Sequence, residues 1–103
     1  MQLILLYSLK DGVSRDDFHD FVRTIDYPIM RGLARVESFK TYESKKLLMG
    51  EGSPSVGYVE IFDVPDLNGF MAEDLGGATV QGVMGKFMGF ADAPEFIISD
   101  EVK

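Results

Sequence analysis

Few side chains in this sequence are placed to do chemistry, and Asp26, in the run Thr24-Ile25-Asp26-Tyr27-Pro28, is the strongest candidate. It closes a stretch in which Phe18, Phe21, Val22 and Ile25 recur at i, i+3, i+4 and i+7, one apolar stripe of a helix. Pro28 restricts the residue before it to extended geometry, so the helix is expected to end near Asp26. A carboxylate there faces the negative end of the helix dipole, at a cost of about 0.3–1 kcal/mol. Beside Tyr27 and Pro28 it is also partly desolvated, and both effects raise its pKa. That is the profile of a general acid or base. The plain alternative is a solvent-facing aspartate that accepts a bond from a neighbouring amide.

The other candidates are spread along the chain. Tyr58 and Glu60 share a strand face with Phe62, and Lys40 and Tyr42 share one on a neighbouring strand. Ionisable groups facing a covered sheet need partners or a water-filled cavity. A Glu60–Lys40 ion pair answers that need. So does a polar patch that orients a ligand in an apolar pocket. Tyr7 and Tyr42 would add aromatic walls and hydroxyl donors, and Tyr58 is a second acid–base candidate. Tyr27, Met30, Met84, Phe87 and Met88 are the expected pocket walls, since six methionines suit an adaptable apolar site. They suit an ordinary core almost as well. His19 lies at the edge of the apolar stripe, two turns or ~11 Å from Asp26, too far for a direct dyad. A surface histidine is the simpler reading, against a haem ligand. Gly82, Gly85 and Gly89 form a smooth stripe whose plain purpose is close packing on the sheet. The alternative is room for a flat ligand. No Gly-x-Gly-x-x-Gly follows a strand, so nucleotide binding has no support.

Composition narrows the field further. At 103 residues with 46% hydrophobic content, the chain is one globular domain spanning 1–103. With no cysteine, disulfides, thiolate nucleophiles and Cys-based metal sites are excluded, and no metal or cofactor is expected. The net charge of −7 argues against nucleic acid. Residues 31–46 nonetheless hold Arg31, Arg35, Lys40, Lys45 and Lys46 against only Glu37 and Glu43. This is either a solvated hairpin edge guarded by lysines or a cationic lip for an anionic substrate. The apolar run at Leu3–Leu6 is too short for a signal peptide or membrane span, which makes the cytoplasm the expected location.

These residues need elements to position them. Residues 2–9 read as a buried strand, Asp11-Gly12 as a turn, and Ser14 as the N-cap of the first helix, with Asp17 as its capping-box partner. Strands follow at roughly 36–44 and Val56–Phe62, and Pro65-Asp66 opens a helix that Gly76-Gly77 breaks. A further helix from about Thr79 to Phe90 leads past Pro94 to a last strand, Glu95–Ser99. The order is βαββαβ, an α+β ferredoxin-like fold with a four-stranded antiparallel sheet and helices on one face. Yet apolar groups fall on both parities of the strands: Leu3, Leu5 and Tyr7 against Ile4 and Leu6, and Phe96 and Ile98 against Ile97. A half-solvated sheet should alternate cleanly. A second copy of the chain is expected to cover the other face.

Three segments carry a resemblance: Phe18-x-x-Phe21 with Pro28, the strand Tyr58-Val59-Glu60-Ile61-Phe62, and Phe90-Ala91-Asp92-Ala93-Pro94-Glu95-Phe96. In this order they resemble the dimeric α/β-barrel superfamily, its EthD-like branch especially, although Asp26 stands where that branch has His. Within it the chain is most similar to the RedY/HapK proteins of prodigiosin-type red pigment clusters. The resemblance implies a homodimer that handles an aromatic or pyrrolic intermediate, with Asp26 and a tyrosine assisting a cofactor-free acid–base step. It leaves open a cofactor-independent monooxygenase of polycyclic phenols, disfavoured by the lack of tryptophan, and a non-catalytic stress-response barrel.

Overall fold

Gly12 adopts φ 82°, a left-handed conformation that glycine enters without strain, and so turns the chain out of its first strand. The computed structural model describes residues 1–103. Strand β1 (Gln2–Leu9) leads through this turn into helix α1 (Arg15–Phe21), where Ser14 Oγ accepts from the Asp17 amide at 3.2 Å.

The first helical rod does not stop at Asp26. A π-helical turn, Val22–Asp26, follows α1 and passes directly into α2 (Tyr27–Arg31). Tyr27 is helical, with φ −58° and ψ −52°, rather than extended. Its amide reaches back to the Val22 carbonyl, five residues earlier. The wider turn re-spaces the carbonyls that would otherwise meet the Pro28 ring, and a helix tolerates proline where its ladder is already interrupted. The expected dipole conflict at Asp26 therefore does not arise, because Arg31, not Asp26, ends the rod.

Strands β2 (Ser38–Glu43) and β3 (Tyr58–Asp63) form the next antiparallel pair. Asp66 caps α3 (Leu67–Gly69), which continues through a second π-helical turn, Phe70–Asp74, and stops before Gly76-Gly77. Helix α4 (Ala78–Phe90) runs straight into β4 (Ala91–Ser99), so the last strand begins before Pro94. Ala93 takes φ 42° there, and the register against β1 shifts between Leu6 and Ser8. A bulged edge strand accepts a proline that a central strand would not.

The sheet order is β2-β3-β1-β4, all antiparallel, which makes this an α+β ferredoxin-like fold. Directly opposed residues share a face. Leu5 opposes Glu60 and Phe96, and Leu3 opposes Phe62 and Ile98, on the side packed by the helices. Tyr7, Phe18, Phe39, Phe62, Val64 and Phe87 are buried in that core. On the other side Ile4 opposes Ile61 and Ile97, while Lys40 opposes Ile61 and Tyr42 opposes Val59. Tyr42, Ile61 and Ile97 are exposed there, leaving an apolar sheet face.

Candidate functional site

The alternation that turns Tyr58 and Phe62 toward the helices also turns Glu60 inward, between Leu5 and Thr41 on the flanking strands. Glu60 is 1% exposed, and its Oε2 accepts a hydrogen bond from the Tyr7 hydroxyl. Asp26 approaches from the helical layer. A regular α-helix would continue the stripe of Phe18, Phe21 and Val22 with Ile25. The π-turn brings Asp26 inward in its place, so that Phe18, Val22, Asp26 and Met30 are buried at successive four-residue steps. Asp26 is 4% exposed, and burial alone acts on its carboxyl, with no hydrogen bond and no ion pair to offset it.

Both carboxyls face a cavity of about 370 Å³ bounded by the sheet, α4, Met30 and the Leu67–Leu75 segment. Fifteen of its 17 lining residues are hydrophobic, and Asp26 and Glu60 are the two exceptions. It reaches the surface at the β4 edge, where Met71, Met88, Phe96 and Ile98 are exposed. Burial raises the Asp26 pKa to about 7. Glu60 rises to about 8, chiefly by burial; the hydrogen bond from Tyr7 opposes the rise and the Asp26 charge adds to it. Burial, followed by the charge of Glu60, pushes the Tyr7 phenol far above its ordinary range, so Tyr7 acts as a donor.

A second ionisable cluster lies on the far side of the Tyr7 ring, which stacks on Tyr58 at 5.6 Å and 10°. Tyr58 Oη is 2.8 Å from His19 Nε2 and donates to Glu43 Oε2 at 3.3 Å. Arg15 grips Glu43 through two bonds, at 2.6 and 2.9 Å, and Lys45 adds a third at 2.5 Å. These cations hold the Glu43 carboxyl well below the usual range, while burial and the Glu43 charge push Tyr58 up to about 12. Tyr27 and Thr41 share the small groove of about 230 Å³ beside them.

The anticipated site is thus divided. Asp26, Met30, Glu60, Met84, Phe87 and Met88 line the apolar cavity. Tyr7 stands behind it, and Tyr27 and Tyr58 belong to the second cluster, Tyr27 Oη accepting from the Thr41 amide at 2.8 Å. Lys40 and Tyr42 lie on the opposite sheet face, so Lys40 does not pair with Glu60. Three of the five cations of the expected lip are already engaged. Arg35 pairs with Asp66, Glu73 and Asp74, Arg31 lies over the Tyr27 ring and donates to the Phe39 carbonyl, and Lys45 holds Glu43. His19 is not an idle surface residue, since its ring engages Tyr58; that partner stands 39 residues away and no local spacing announces it. The glycine stripe does not pack on the sheet or line the cavity, for a Cβ at Gly82, Gly85 or Gly89 would meet nothing within 4 Å. No group of three or more His, Asp or Glu side chains is arranged to hold a metal ion, and no helix is long and apolar enough to cross a membrane.

The family model described as REDY-like protein HapK matches residues 1–102. The chain belongs to this family. The crystal structure of HapK from Hahella chejuensis aligns at TM-score 0.71 and 22% identity, covering 100% of this chain and 98% of that one. An EthD-family protein from Bacillus halodurans C-125 aligns at 0.74 and 17%, covering 98% and 97%. The Arabidopsis thaliana protein At3g17210 aligns at 0.81 and 15%, covering 99% and 95%. A Thermobifida fusca protein described as dimeric and ferredoxin-like aligns at 0.70 and 10%, covering 93% and 85%. These identities support the shared fold alone. Comparison with curated proteins finds no match.

Proposed function

We propose that this HapK-family chain works as a homodimer in secondary-metabolite biosynthesis of the prodigiosin type, binding an aromatic or pyrrolic intermediate in its apolar cavity. One observation carries the reading: two carboxyls are buried in an otherwise hydrophobic cavity with no cation to neutralise them. Burying such groups is costly, and a folded protein keeps them where a ligand or a reaction uses them. The cavity is within the ~300–1,000 Å³ range of small-molecule sites. Its flat Phe and Met walls suit a conjugated ring system, and carboxylate oxygens are natural acceptors for pyrrole N–H groups.

Asp26 would supply the acid–base step. With a pKa of about 7 it exists at neutral pH both as acid and as base, the condition under which one group can take a proton and return it. Glu60, fixed by Tyr7, would orient the ligand. The dimer rests on the apolar outer sheet face and on the description of a matched structure as dimeric. A stable interface over that face should bury ~1,200 Å² or more in total.

The test is titration of the purified dimer with a 2,2′-bipyrrole, followed by tyrosine fluorescence. Saturable binding that disappears in Met84→Trp, which fills the cavity, supports the reading. Absence of saturable binding to the unmodified protein retires it.

A further inference from the structure

Building on the ligand-binding reading, we infer that the cavity recognises its ligand as a cation: a flat, conjugated nitrogen base held by Asp26 and Glu60 in its protonated, N–H-bearing form. Three features of the cavity converge on this. The first is the unused carboxyl of Asp26, almost wholly buried, lining the cavity and lacking any protein donor. Glu60 is only half served, because Tyr7 reaches Oε2 and nothing donates to Oε1. Second, the wall contains no Lys, Arg or His, and no cation figures among the groups that shift either carboxyl. Third, Phe62, Phe70, Phe87 and Phe96 line the same space, and phenyl faces attract cations.

Each class of ligand fares differently against this wall. An anion would meet two carboxyls and no donor except through their own protons. A neutral hydrocarbon would bury the same apolar walls but leave the acceptors unanswered, and unanswered buried polar groups are costly. A cation carrying N–H donors answers both, in a medium where opposite charges attract far more strongly than in water. The proton balance is simple. A base entering neutral takes its proton from a carboxylic acid: the nitrogen gains an N–H, the carboxyl oxygen loses its O–H, and solvent exchanges nothing. A permanently charged ligand instead displaces that proton into water, so its affinity rises with pH.

The dimer can be titrated with two probes of nearly the same outline, 9-aminoacridine, a cation bearing N–H donors throughout pH 6–8, and 9-methylanthracene, neutral. The expected result is a preference for the cation of about tenfold or more near pH 8, the low end of what a hydrogen bond or contact to a charged group contributes. The preference should shrink toward pH 6, as Asp26 and Glu60 take up protons, and collapse in the shape-preserving pair Asp26→Asn, Glu60→Gln, with circular dichroism showing that the fold is kept. Equal affinity for the two probes, unchanged by pH, overturns the cation assignment while leaving the cavity as a ligand site. Failure of both probes to bind, with Met84→Trp behaving as the unmodified protein, overturns the cavity reading and the cation assignment with it.

Discussion

Two acidic sites lie on opposite sides of the Tyr7–Tyr58 ring stack, and solvent and counter-charge have driven their carboxyls in opposite directions. Glu43 sits at the β2 edge with Arg15 and Lys45 against it, and is held firmly ionised. Asp26 and Glu60 sit among phenylalanines and methionines with no cation near, and are pushed up to about 7 and about 8. A carboxylate whose charge is already answered has little left to offer a ligand. One that is buried and unanswered imposes a standing cost on the fold, and this contrast marks the inner pair as the candidate site.

The sharpest way to break the contrast is to remove one carboxyl from each side and measure output. On the proposed function, Asp26→Asn preserves shape and removes the acid–base group, so pigment formation in a strain deleted for this reading frame should fall by about 10²–10⁴-fold. Glu43→Gln should leave it close to unchanged. Full complementation by Asp26→Asn would remove that residue from the chemistry, though binding could stand.

The next largest effect is on stability against pH. Asp26 and Glu60 have folded-state values above the ~4 of an unfolded chain, so the unfolded state ionises first as pH rises. The stability they confer is fully present below about pH 4 and is lost as pH rises through about 7 and 8. The slope is ~1.4 kcal/mol per pH unit for each group while only the unfolded state is ionised, a few kcal/mol for each of the two. Glu43 has the opposite sign: its contribution holds above the unfolded value and is lost as pH falls. Chemical denaturation should show Asp26→Asn and Glu60→Gln flattening the decline between about pH 4 and 8, and Glu43→Gln flattening only the loss on the acid side of pH 4. If the inner variants leave the decline from pH 4 to 8 as steep as before, the carboxyls are hydrated and the contrast fails.

Tyr7 touches both regions, through its hydroxyl to Glu60 and its ring to Tyr58. Tyr7→Phe retains the stack and strips Glu60 of its only donor, at a cost of about 1–3 kcal/mol. Because that bond opposes the rise in the Glu60 pKa, its loss should extend the decline that begins near pH 4 to higher pH. A decline that moves to lower pH instead would mean that Tyr7 is not the group holding the Glu60 carboxylate.

Much of this layout is legible in the sequence. Period-2 and period-3.6 patterns, Ser14, Asp66 and the Gly76-Gly77 break are local signals, and the βαββαβ order they predict is the one observed. Asp26 and Glu60 were legible for different reasons, one from its place after an apolar stripe, the other from alternation between Tyr58 and Phe62. What local patterns do not carry is how one element meets another. The π-turn that admits Pro28 depends on packing, not on the rule for residues before proline. Whether Lys40 and Tyr42 share a face with Glu60 depends on the β2–β3 register, which sets Thr41 opposite Glu60 and turns Lys40 and Tyr42 to the other side.

The cavity wall α4 gives a smaller test of the same lesson. Val80, Val83 and Phe87 bury one side of it, leaving Gly82, Gly85 and Gly89 facing out with open space where a Cβ would go. Gly82→Ala and Gly85→Ala should therefore each stabilise the fold by about 0.5–1 kcal/mol, read as a higher denaturation midpoint, and leave probe binding unchanged. Destabilisation would mean that the glycine stripe packs against something, such as another chain.

The smallest effect should come from the outer cluster itself. Arg15 is more than half exposed, at 55% of its side-chain area, and its pair with Glu43 is open to solvent and salt. Arg15→Ala should lower the unfolding midpoint less than Tyr7→Phe does, and the difference from the unmodified protein should shrink as salt is added. His19→Gln can still hydrogen-bond toward Tyr58 and should be tolerated in both stability and pigment formation. The informative measurement is the double comparison, each variant assayed for output and for midpoint in low and high salt. A salt-independent loss of output in His19→Gln, with the midpoint unmoved, would shift the chemistry from the buried carboxyls to the His19–Tyr58 contact. Unchanged output would leave that cluster as the clamp that fixes α1 against the β2 edge, with Asp26 and Glu60 alone facing the ligand.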